Sequence, residues 1–459
     1  MQARGGHRSE AMGREPIMKL LLRFSGPAIV SQLVSSSYSL VDSVFIGRLG
    51  AEALAAVAVA FPLMGVFMAI GMGTAVGSSS LIARRLGAKK HEEASRVAGS
   101  AIGTFIIMGI LLQIICLLNL ESLLRLFGAS ETVLPLAKSY MSVEISFQII
   151  NFSLMVLAEL IRAEGSPVLA SIAMITAGVM NCIWDPILGF GLGPFPKMGM
   201  AGFALATTVG RGIGISILLV YLISGRSSYR FRPSYFLPKF KIVIEIYRVG
   251  ISRIVQMSGG MVSHVILNVT AASYGVIPLA VQGILFRASS FAFMPCMGLG
   301  QGVLPLVGYN YGAKQKERVG EVVIKSALLS LAWGALCWVV VMLFSTQVLS
   351  IFNTDPQFLA EGSRAFRIFA SVFFIVGTQM TLAMFFQGIG KGLAALVMAS
   401  ARDVILLIPS VLILPRIFGL TGLWVARPVA DGLSIIVTLS WAIIEFRRQG
   451  IPFRLRYST

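Results

Sequence analysis

The sequence predicts an all-α polytopic membrane protein with twelve transmembrane helices in two homologous six-helix bundles. Three observations lead to this prediction: an apolar composition, twelve apolar segments of membrane-spanning length, and an internal repeat. Of the 459 residues, 56% are hydrophobic and only 13% are charged, whereas a soluble domain carries about 25% charged residues. This composition excludes a soluble enzyme, a disordered chain and a disulfide scaffold.

A transmembrane helix needs about 20 mostly apolar residues, and the chain contains twelve such segments. They lie at 22–46, 52–74, 97–119, 136–160, 166–190, 199–223, 246–271, 277–303, 322–345, 364–387, 395–416 and 419–445. The polar start of the chain runs directly into the first segment, which predicts no cleavable signal peptide. The predicted organisation is an N-terminal segment at 1–21, a bundle at 22–223, a linker at 224–246, a second bundle at 247–445 and a tail at 446–459.

The internal repeat has an offset of 225 residues. It places ARRLGAKK at 83–90 on GYNYGAKQ at 308–315, and Gly165 on Gly390. Beyond the fifth segment the offset falls to 220, where MGMAGFALAT at 198–207 meets FGLTGLWVAR at 418–427. Because each unit has an even number of helices, both halves share one orientation and are related by an axis near the membrane normal.

The basic residues predict the orientation. The net charge is +18, which in a soluble protein would suggest nucleic acid. Here 26 Lys and Arg residues lie on the side of the termini and of the linker, against seven on the other side. Since cytoplasmic loops carry the excess of Lys and Arg, both termini are predicted to be cytoplasmic and no nucleic-acid partner is expected.

The sequence lacks the motifs of several common kinds of chemistry. The chain has no GxxxxGK[ST] phosphate loop, no HExxH and no CxxC, so ATP-driven pumping and enzymatic catalysis are not expected. Any transport would draw on an ion gradient or on the gradient of the substrate. Four cysteines lie in apolar segments and are predicted to be buried free thiols: Cys116, Cys182, Cys296 and Cys337.

Three polar residues inside predicted helices are the principal site candidates: Asp42, Asn181 and Asp185. A carboxylate at the bilayer centre costs about 2.5–3.5 kcal/mol on insertion scales, which makes it a functional candidate. Asn181 and Asp185 share one helix face, and Pro186 is expected to bend the helix and free a carbonyl near residue 182. These oxygens suit Na⁺ or a proton on a buried carboxyl group. A purely structural, hydrogen-bonded carboxylate remains the alternative for each Asp.

The repeat gives a test within one sequence. Asp42, Asn181 and Asp185 fall on Leu267, Leu406 and Ser410 in the second half. Because the scaffold repeats and the carboxylates do not, we expect ion coupling in the first bundle alone.

For the other polar residues within predicted spans, the sequence gives less support for a functional role. Glu144 is a candidate for contact with a cationic substrate. Two further interpretations are ion pairs, Glu159 with Arg162 and Arg427 with Asp431. Asp403 is expected to pair with Arg253 or Arg402, and His264 is interpreted as a hydrogen-bonded packing residue with no assigned role.

Taken together, the motifs resemble the multidrug and toxic compound extrusion (MATE) family over essentially the whole chain, in particular the prokaryotic branch with MepA-like and DinF-like transporters. The motifs that carry the resemblance are VDSVFIGRLGAEALAAV at 41–57, IARRLGAKKHEEA at 82–94, IRAEGSP at 161–167, NCIWDP at 181–186, GMAGFALATT at 199–208, QGVLPLVGYNYGA at 301–313, QGIGKG at 387–392 and GLTGLWVARPVAD at 419–431.

The resemblance implies a secondary multidrug antiporter in the inner (plasma) membrane of a prokaryote. The oligomeric state is open at this point, although a closed unit of two bundles could work as a monomer. The antiporter would have no cofactor and would export organic cations and amphipathic compounds in exchange for Na⁺ or H⁺. Asp42, Asn181 and Asp185 match the family's positions for cation or proton coupling, and therefore for Na⁺ ligands. The resemblance adds Thr207 to the coupling residues and Tyr140 to the substrate cavity. The alternative is a lipid-linked oligosaccharide flippase of a related superfamily. Five arginines within predicted spans support this alternative: Arg211, Arg253, Arg287, Arg402 and Arg427.

Overall fold

The described part of the chain, residues 3–452 of a computed structural model, consists of helices and turns with no strand. Apolar chains form helices in lipid because a helix satisfies its backbone hydrogen bonds internally. The α-helices are α1 Ala3–Arg14, α2 Ile17–Gly47, α3 Ala51–Gly87, α4 His91–Leu118, α5 Leu120–Leu126, α6 Leu134–Ser146, α7 Gln148–Ala163, α8 Pro167–Phe190, α9 Met200–Ile223, α10 Phe240–Ser273, α11 Val276–Gly312, α12 Lys316–Ser350, α13 Pro356–Ala370, α14 Phe373–Gly388, α15 Gly392–Ser400 and α16 Leu407–Gln449.

The count of membrane-spanning segments agrees with the sequence. Among the described residues, nine helices are long and apolar enough to span, and two bent pairs, α6 with α7 and α13 with α14, bring the number to eleven. The last of the nine covers 58 residues, and Gly419 interrupts it with a φ of 58° and a ψ of −143°. A Cβ on Gly422 would lie 2.1 Å from the Leu414 carbonyl oxygen. The chain therefore folds back at Gly419, which divides this element into the eleventh and twelfth spans.

Several helix ends differ from the sequence-based expectation. Residues 3–14 form a separate helix, and α2 begins at Ile17 rather than 22. The second and eighth helices continue past the apolar segments to Gly87 and Gly312, because small and polar residues that face protein can extend a helix beyond the bilayer. The linker is residues 224–239, since α10 begins at Phe240 rather than 246.

The sequence repeat is also a repeat of backbone conformation. Lys89 and Lys314 both have a left-handed backbone, with φ of 60° and 59°. Gly199 and Gly419 have φ of 57° and 58°. The bend between α6 and α7 is 52° and that between α13 and α14 is 44°, at equivalent places. The two halves therefore have the same backbone conformation at these equivalent turns and bends.

The two bundles meet through a reciprocal set of close contacts. A Cβ on Gly87 would lie 1.9 Å from the Tyr309 carbonyl oxygen, and one on Gly312 would lie 2.1 Å from the Arg84 carbonyl oxygen. Positions 84 and 309 are equivalent in the repeat, as are 87 and 312. Further along the same helices, Gly73 packs on Ile254 and Gly298 packs on Ile29, again as an equivalent pair. The interface thus has pseudo-twofold symmetry.

These contacts lie at the ends of α3 and α11 nearest the linker, which we call the closed end. Helix α1 lies across it and joins the two bundles. Arg8 donates a hydrogen bond to Ser166 Oγ at 3.2 Å in the first bundle. In the second bundle, Asn310 Nδ2 and Arg318 Nη2 donate to the Met12 carbonyl oxygen at 3.2 and 3.1 Å. Helix α1 therefore spans the interface.

Glu164 lies beneath this contact, in the turn after α7. Its side chain is 1% exposed. Its Oε2 accepts hydrogen bonds from Ser227 Oγ at 2.7 Å and from the Ser228 backbone N–H at 2.8 Å, while Oε1 has no partner. Burial raises the pKa of the Glu164 carboxyl group to about 7, and the hydrogen bonds and Arg8 offset only part of that rise.

We expect Glu164 to make protein stability depend on pH. Because folding raises the pKa of this acid, its contribution to the free energy of unfolding is full below its ordinary value of 4.5 and is lost as the pH rises to about 7, a change of about 3 kcal/mol. Thermal unfolding in detergent from pH 5 to pH 8 should therefore show a steeper fall for the wild type than for Glu164→Gln. The exposed Glu52→Gln should keep the wild-type slope, and equal slopes for wild type and Glu164→Gln would contradict the assignment.

Candidate functional site

Close packing of α8 and α9 builds the first part of the site. A Cβ on Gly210 would lie 2.6 Å from the Ala177 carbonyl oxygen, and one on Gly214 would lie 2.7 Å from the Ala173 carbonyl oxygen. Two glycines four residues apart let the two backbones approach in the manner of a membrane GxxxG contact. As a result, Thr207 of α9 lies beside Asn181 of α8.

The three polar residues of these two helices form one hydrogen-bonded group. Asn181 Nδ2 donates to Asp185 Oδ1 at 3.0 Å and to Thr207 Oγ1 at 3.2 Å, and Thr207 Oγ1 donates to the Phe203 carbonyl oxygen at 3.2 Å. Asp185 is fully buried and Asn181 is 3% exposed. The prediction that Asn181 and Asp185 share a face is confirmed. Helix α8 continues without interruption through Pro186 to Phe190.

Asp42 of α2 approaches this group from the neighbouring helix. Tyr38 packs on Gly178, where an added Cβ would lie 2.6 Å from the ring. One turn further, Asp42 is close enough to interact electrostatically with both Asp185 and Glu144. Asp42 is partly buried and its Oδ1 atom has no hydrogen-bond partner. The structure thus brings the three principal candidates to one place.

The acceptor oxygens here outnumber the donors. Asp42 Oδ1, Asn181 Oδ1 and Asp185 Oδ2 are buried and have no protein partner. A buried unsatisfied oxygen is costly, and a bound proton or cation would satisfy it. Between residues 8 and 452, no group of three or more His, Cys, Asp and Glu side chains could hold a metal ion. A cation here would therefore need the amide, hydroxyl or backbone oxygens as well as the carboxylates, which fits Na⁺ better than a transition metal.

A second polar group lies beside the first. It contains the predicted residues Glu144 and Tyr140, and also Arg211 and Asn151, which the sequence analysis did not assign to the site. Glu144 is 1% exposed and accepts a hydrogen bond from Asn151 Nδ2 at 2.7 Å. Arg211 of α9 interacts electrostatically with Glu144 and Tyr38, and its guanidinium lies 5.9 Å from the centre of the Phe152 ring. Tyr140 is 5% exposed and is close to Glu144. An unpaired arginine in the sixth span is the sequence signal that could have revealed this group.

Glu144 and Tyr140 are therefore interior residues of the first bundle. The arginine beside Glu144 partly neutralises it, so a cationic substrate would compete with Arg211 for this carboxylate. Their predicted role in substrate binding stays a prediction.

The second bundle has no equivalent of the Asp42, Asn181 and Asp185 group at the repeated positions but has its own charged network. Leu267 is 5% exposed in an apolar core, and Ser410 Oγ bonds its own helix at the Leu406 carbonyl oxygen. Asp403 pairs with Arg427 at 3.0 Å, so the expected partners Arg253 and Arg402 are wrong. The reason is a π-helical turn at Ala401–Leu406, in which Arg402 faces Asp431 instead, at 2.7 Å.

The two expected ion pairs and the hydrogen-bonded interpretation of His264 are confirmed. Arg427 also pairs with Asp431 at 3.3 Å, and Arg162 pairs with Glu159. His264 Nδ1 lies 3.2 Å from Asn268 Nδ2. The four cysteines are free thiols that are buried or partly buried. Two arginines and two aspartates make the network of the second bundle electrically neutral, which is typical of a structural role.

Thr207 can be tested against its neighbour in the chain. Thr207→Val would remove the hydroxyl that accepts from Asn181, and we expect the ion concentration for half-maximal transport to rise about fivefold, the effect of one net hydrogen bond. Thr208→Val is the matched control, since Thr208 Oγ1 bonds only the Ala204 carbonyl oxygen of its own helix. An equal response of the two variants would exclude Thr207 from the site.

In the part of the chain that the structure describes, twelve spans in two repeated bundles, with buried partnerless carboxylate oxygens inside the first bundle, define a multi-pass membrane transporter. The MatE family profile matches residues 27–187 and 251–412, one stretch in each half. The chain therefore belongs to the MatE family.

Individual relatives cover nearly the whole chain. The multidrug export protein MepA of Staphylococcus haemolyticus is 27% identical over 432 residues, which are 92% of this chain and 94% of that protein. A crystal structure of MATE in the bent conformation superposes with a TM-score of 0.90 at 25% identity and covers 98% of this chain and 99% of its own. An outward-facing multidrug resistance MATE family transporter gives 0.89 at 25% identity, with 96% and 98% coverage.

Proposed function

We propose that this protein is a secondary multidrug antiporter that exports organic cations and amphipathic compounds in exchange for Na⁺ or H⁺. The observation that carries the proposal is the group of partnerless oxygens on Asp42, Asn181 and Asp185 in the first bundle. In the described part of the second bundle, the buried partnerless oxygens belong to amides and a hydroxyl group and not to carboxylates. An ion-coupled transporter needs such a group, whereas a channel or a scaffold does not. The multidrug names of the relatives support the choice of substrate class.

The coupling follows from electrostatics. Asp42 and Asp185 repel each other when both are ionised, and a cation or proton between them removes that repulsion and draws α2 towards α8. Since Tyr38 and Asp42 lie on the same helix, movement of α2 changes the interior of the first bundle around Glu144 and Arg211. We propose that ion binding from outside weakens drug binding in this way and releases the drug. Ion and drug then favour different conformations of the same protein, and this antagonism couples the uptake of one to the release of the other.

The closed end is proposed to face the cytoplasm. It carries α1, the linker and most of the Lys and Arg residues outside the spans, as the positive-inside rule requires. Most of the close glycine contacts between the bundles lie in the half of the helices nearest this end, and Gly65 against Met261 is an exception. We therefore propose that the described conformation corresponds to the outward-facing state. A single chain supplies both bundles and the whole site, which supports a monomer in the inner membrane of a prokaryote.

The flippase alternative loses its main support. A carrier of a pyrophosphate-linked sugar needs a strongly cationic cavity. Of the five intramembrane arginines, Arg402 and Arg427 are paired with aspartates, and Arg211 is near Glu144. The neutralised arginines therefore favour the antiporter.

The proposal is tested in inverted membrane vesicles with a fluorescent organic cation, with Na⁺ and pH gradients imposed one at a time. We expect uptake that needs one of the two gradients and is lost in Asp42→Asn, which removes a charge at constant shape. Uptake of the same size without either gradient, or an unchanged rate in Asp42→Asn, would refute ion coupling. Transfer of a labelled lipid-linked sugar in place of the cation would support the flippase.

A further inference from the structure

We propose that the first bundle holds an acyl chain of an anionic phospholipid in a lateral cavity between α4, α7, α9 and the linker. The cavity has a volume of about 590 Å³, within the range of about 300–1,000 Å³ of ligand cavities. It lies on the side of the bundle where α9 ends and the linker begins. This inference does not depend on which ion or drug the protein transports.

The lining excludes a polar ligand. Aliphatic side chains of the three helices form the walls, and Tyr229, Phe231 and Phe236 of the linker form the floor. The two polar side chains in the lining are already satisfied within the protein. Ser153 Oγ donates to the Ile149 carbonyl oxygen at 2.6 Å, and the Tyr229 hydroxyl donates to the Leu160 carbonyl oxygen at 2.5 Å. The cavity therefore offers an incoming molecule apolar surface only.

The floor of the cavity is a fixed part of the protein. The linker packs on α4 so closely that a Cβ on Gly99 would lie 2.7 Å from Tyr235 Cβ, and one on Gly103 would lie 1.8 Å from the Phe236 carbonyl oxygen. The Arg230 backbone N–H donates to Ser95 Oγ at 3.0 Å. The cavity thus has a defined floor at the membrane surface, where an acyl chain would end at its headgroup.

The charge at the floor selects the headgroup. Arg230 is exposed and lies between Tyr229 and Phe231, and Arg226, Lys239 and Lys241 of the same region are also exposed. In the part of the chain that the structure describes, none of these four cations has a carboxylate within ion-pair distance. An unpaired basic rim at a membrane surface attracts anionic lipid. The same rim repels organic cations, which argues against the cavity as an entrance for the drug.

The repeat supplies an internal comparison. In the second bundle, the positions equivalent to Phe105 and Val156 are Ser330 and Thr381, whose hydroxyl groups lie 3.0 Å apart. The position equivalent to Ser153 is Thr378, which donates to the Ala327 carbonyl oxygen at 3.3 Å. Small hydrogen-bonding residues thus join α12 directly to α14, whereas large apolar residues hold α4 and α7 apart. At positions that line the cavity in the first bundle, the second bundle therefore has direct contacts between its helices.

Site-specific photocrosslinking tests the proposal. A benzophenone amino acid replaces Ile106, which lines the cavity, in otherwise intact protein reconstituted in nanodiscs of phosphatidylcholine with one tenth phosphatidylglycerol. The matched control carries the same amino acid at Leu331, the equivalent position, which is 38% exposed on the outer surface of the second bundle. We expect phosphatidylglycerol at Ile106 to be enriched about fivefold over its bulk fraction, the effect of one basic residue near the surface. The probe at Leu331 should crosslink phosphatidylglycerol and phosphatidylcholine in the same ratio as in the bulk lipid.

Charge variants separate the headgroup from the cavity. Arg230→Gln with Arg226→Gln should lower the enrichment at Ile106 at least twofold while lipid crosslinks persist, and Arg447→Gln with Arg448→Gln in the last turn of α16 should leave it unchanged. The bulk ratio at Ile106, or no lipid adduct there, would overturn the proposal. Because the probe at Ile106 itself perturbs the cavity, native mass spectrometry of unmodified protein gives a second measurement. Wild type should retain phosphatidylglycerol that Arg226→Gln/Arg230→Gln loses, and equal retention would also overturn the proposal.

Discussion

Asp185→Asn is expected to reduce ion-driven efflux about tenfold or more, the size of a typical coupling free energy. The substitution keeps the shape of the side chain and its bond with Asn181 but removes the charge that an ion or proton would neutralise. Rates of gradient-driven uptake into inverted vesicles, at matched expression, measure the effect.

The repeat provides the control for this variant. Ser410 occupies the position of Asp185 in the second bundle and bonds only its own helix, so Ser410→Asn should keep efflux within about twofold of wild type. Binding of the drug to detergent-solubilised Asp185→Asn should be weaker than to the wild type and should no longer respond to Na⁺ or pH, since the variant has the neutralised charge of the ion-bound state. Normal gradient-driven efflux in Asp185→Asn would remove this residue from the coupling mechanism.

Gly312→Val is expected to open the closed end and to abolish transport through that change. A Cβ at this position would lie 2.1 Å from a carbonyl oxygen of the other bundle, a distance at which backbone must move. Spin labels at His91 and Lys316, two exposed positions that are equivalent in the repeat, should report a distance increase of several ångströms in a cysteine-free background.

Two further variants sharpen this prediction. Gly87→Val makes the equivalent contact with Tyr309 from the opposite bundle and should give the same spin-label distance, because the interface is symmetric. Gly283→Val in α11 has no atom within 4 Å of the added Cβ and should leave the distance unchanged. An unaltered distance in Gly312→Val would mean that the closed end is held by other contacts, such as those of α1.

The sequence was sufficient to predict the architecture because membrane spans and the 225-residue repeat are strong, long-range patterns. It also identified Asn181 and Asp185 as one group, since their spacing on a helix determines their relative position. Helix ends were predicted less well. The separate helix α1 and the extension of α3 to Gly87 depend on contacts with the other bundle, which hydropathy does not report.

The site itself was only partly predictable. Arg211 and Glu144 lie on helices far apart in the sequence, and only packing around Phe152 and Asn151 brings them together. The partner of Asp403 could not be deduced because a π-helical turn shifts the direction of each side chain after it. The lateral cavity depends on the gap between α4 and α7, which reflects side-chain size at positions that hydropathy treats as equal.

The reciprocal glycine contacts between the bundles have the geometry of a twofold dimer interface, in which each partner presents the same patch to the other. A single six-helix half therefore carries a surface that is complementary to itself. Such a half would be able to pair with a copy of itself before any fusion, and joining the two copies turned an association between molecules into a contact within one. In one chain the two copies need not be identical, and here they differ: Asp42 and Asp185 in one copy correspond to Leu267 and Ser410 in the other.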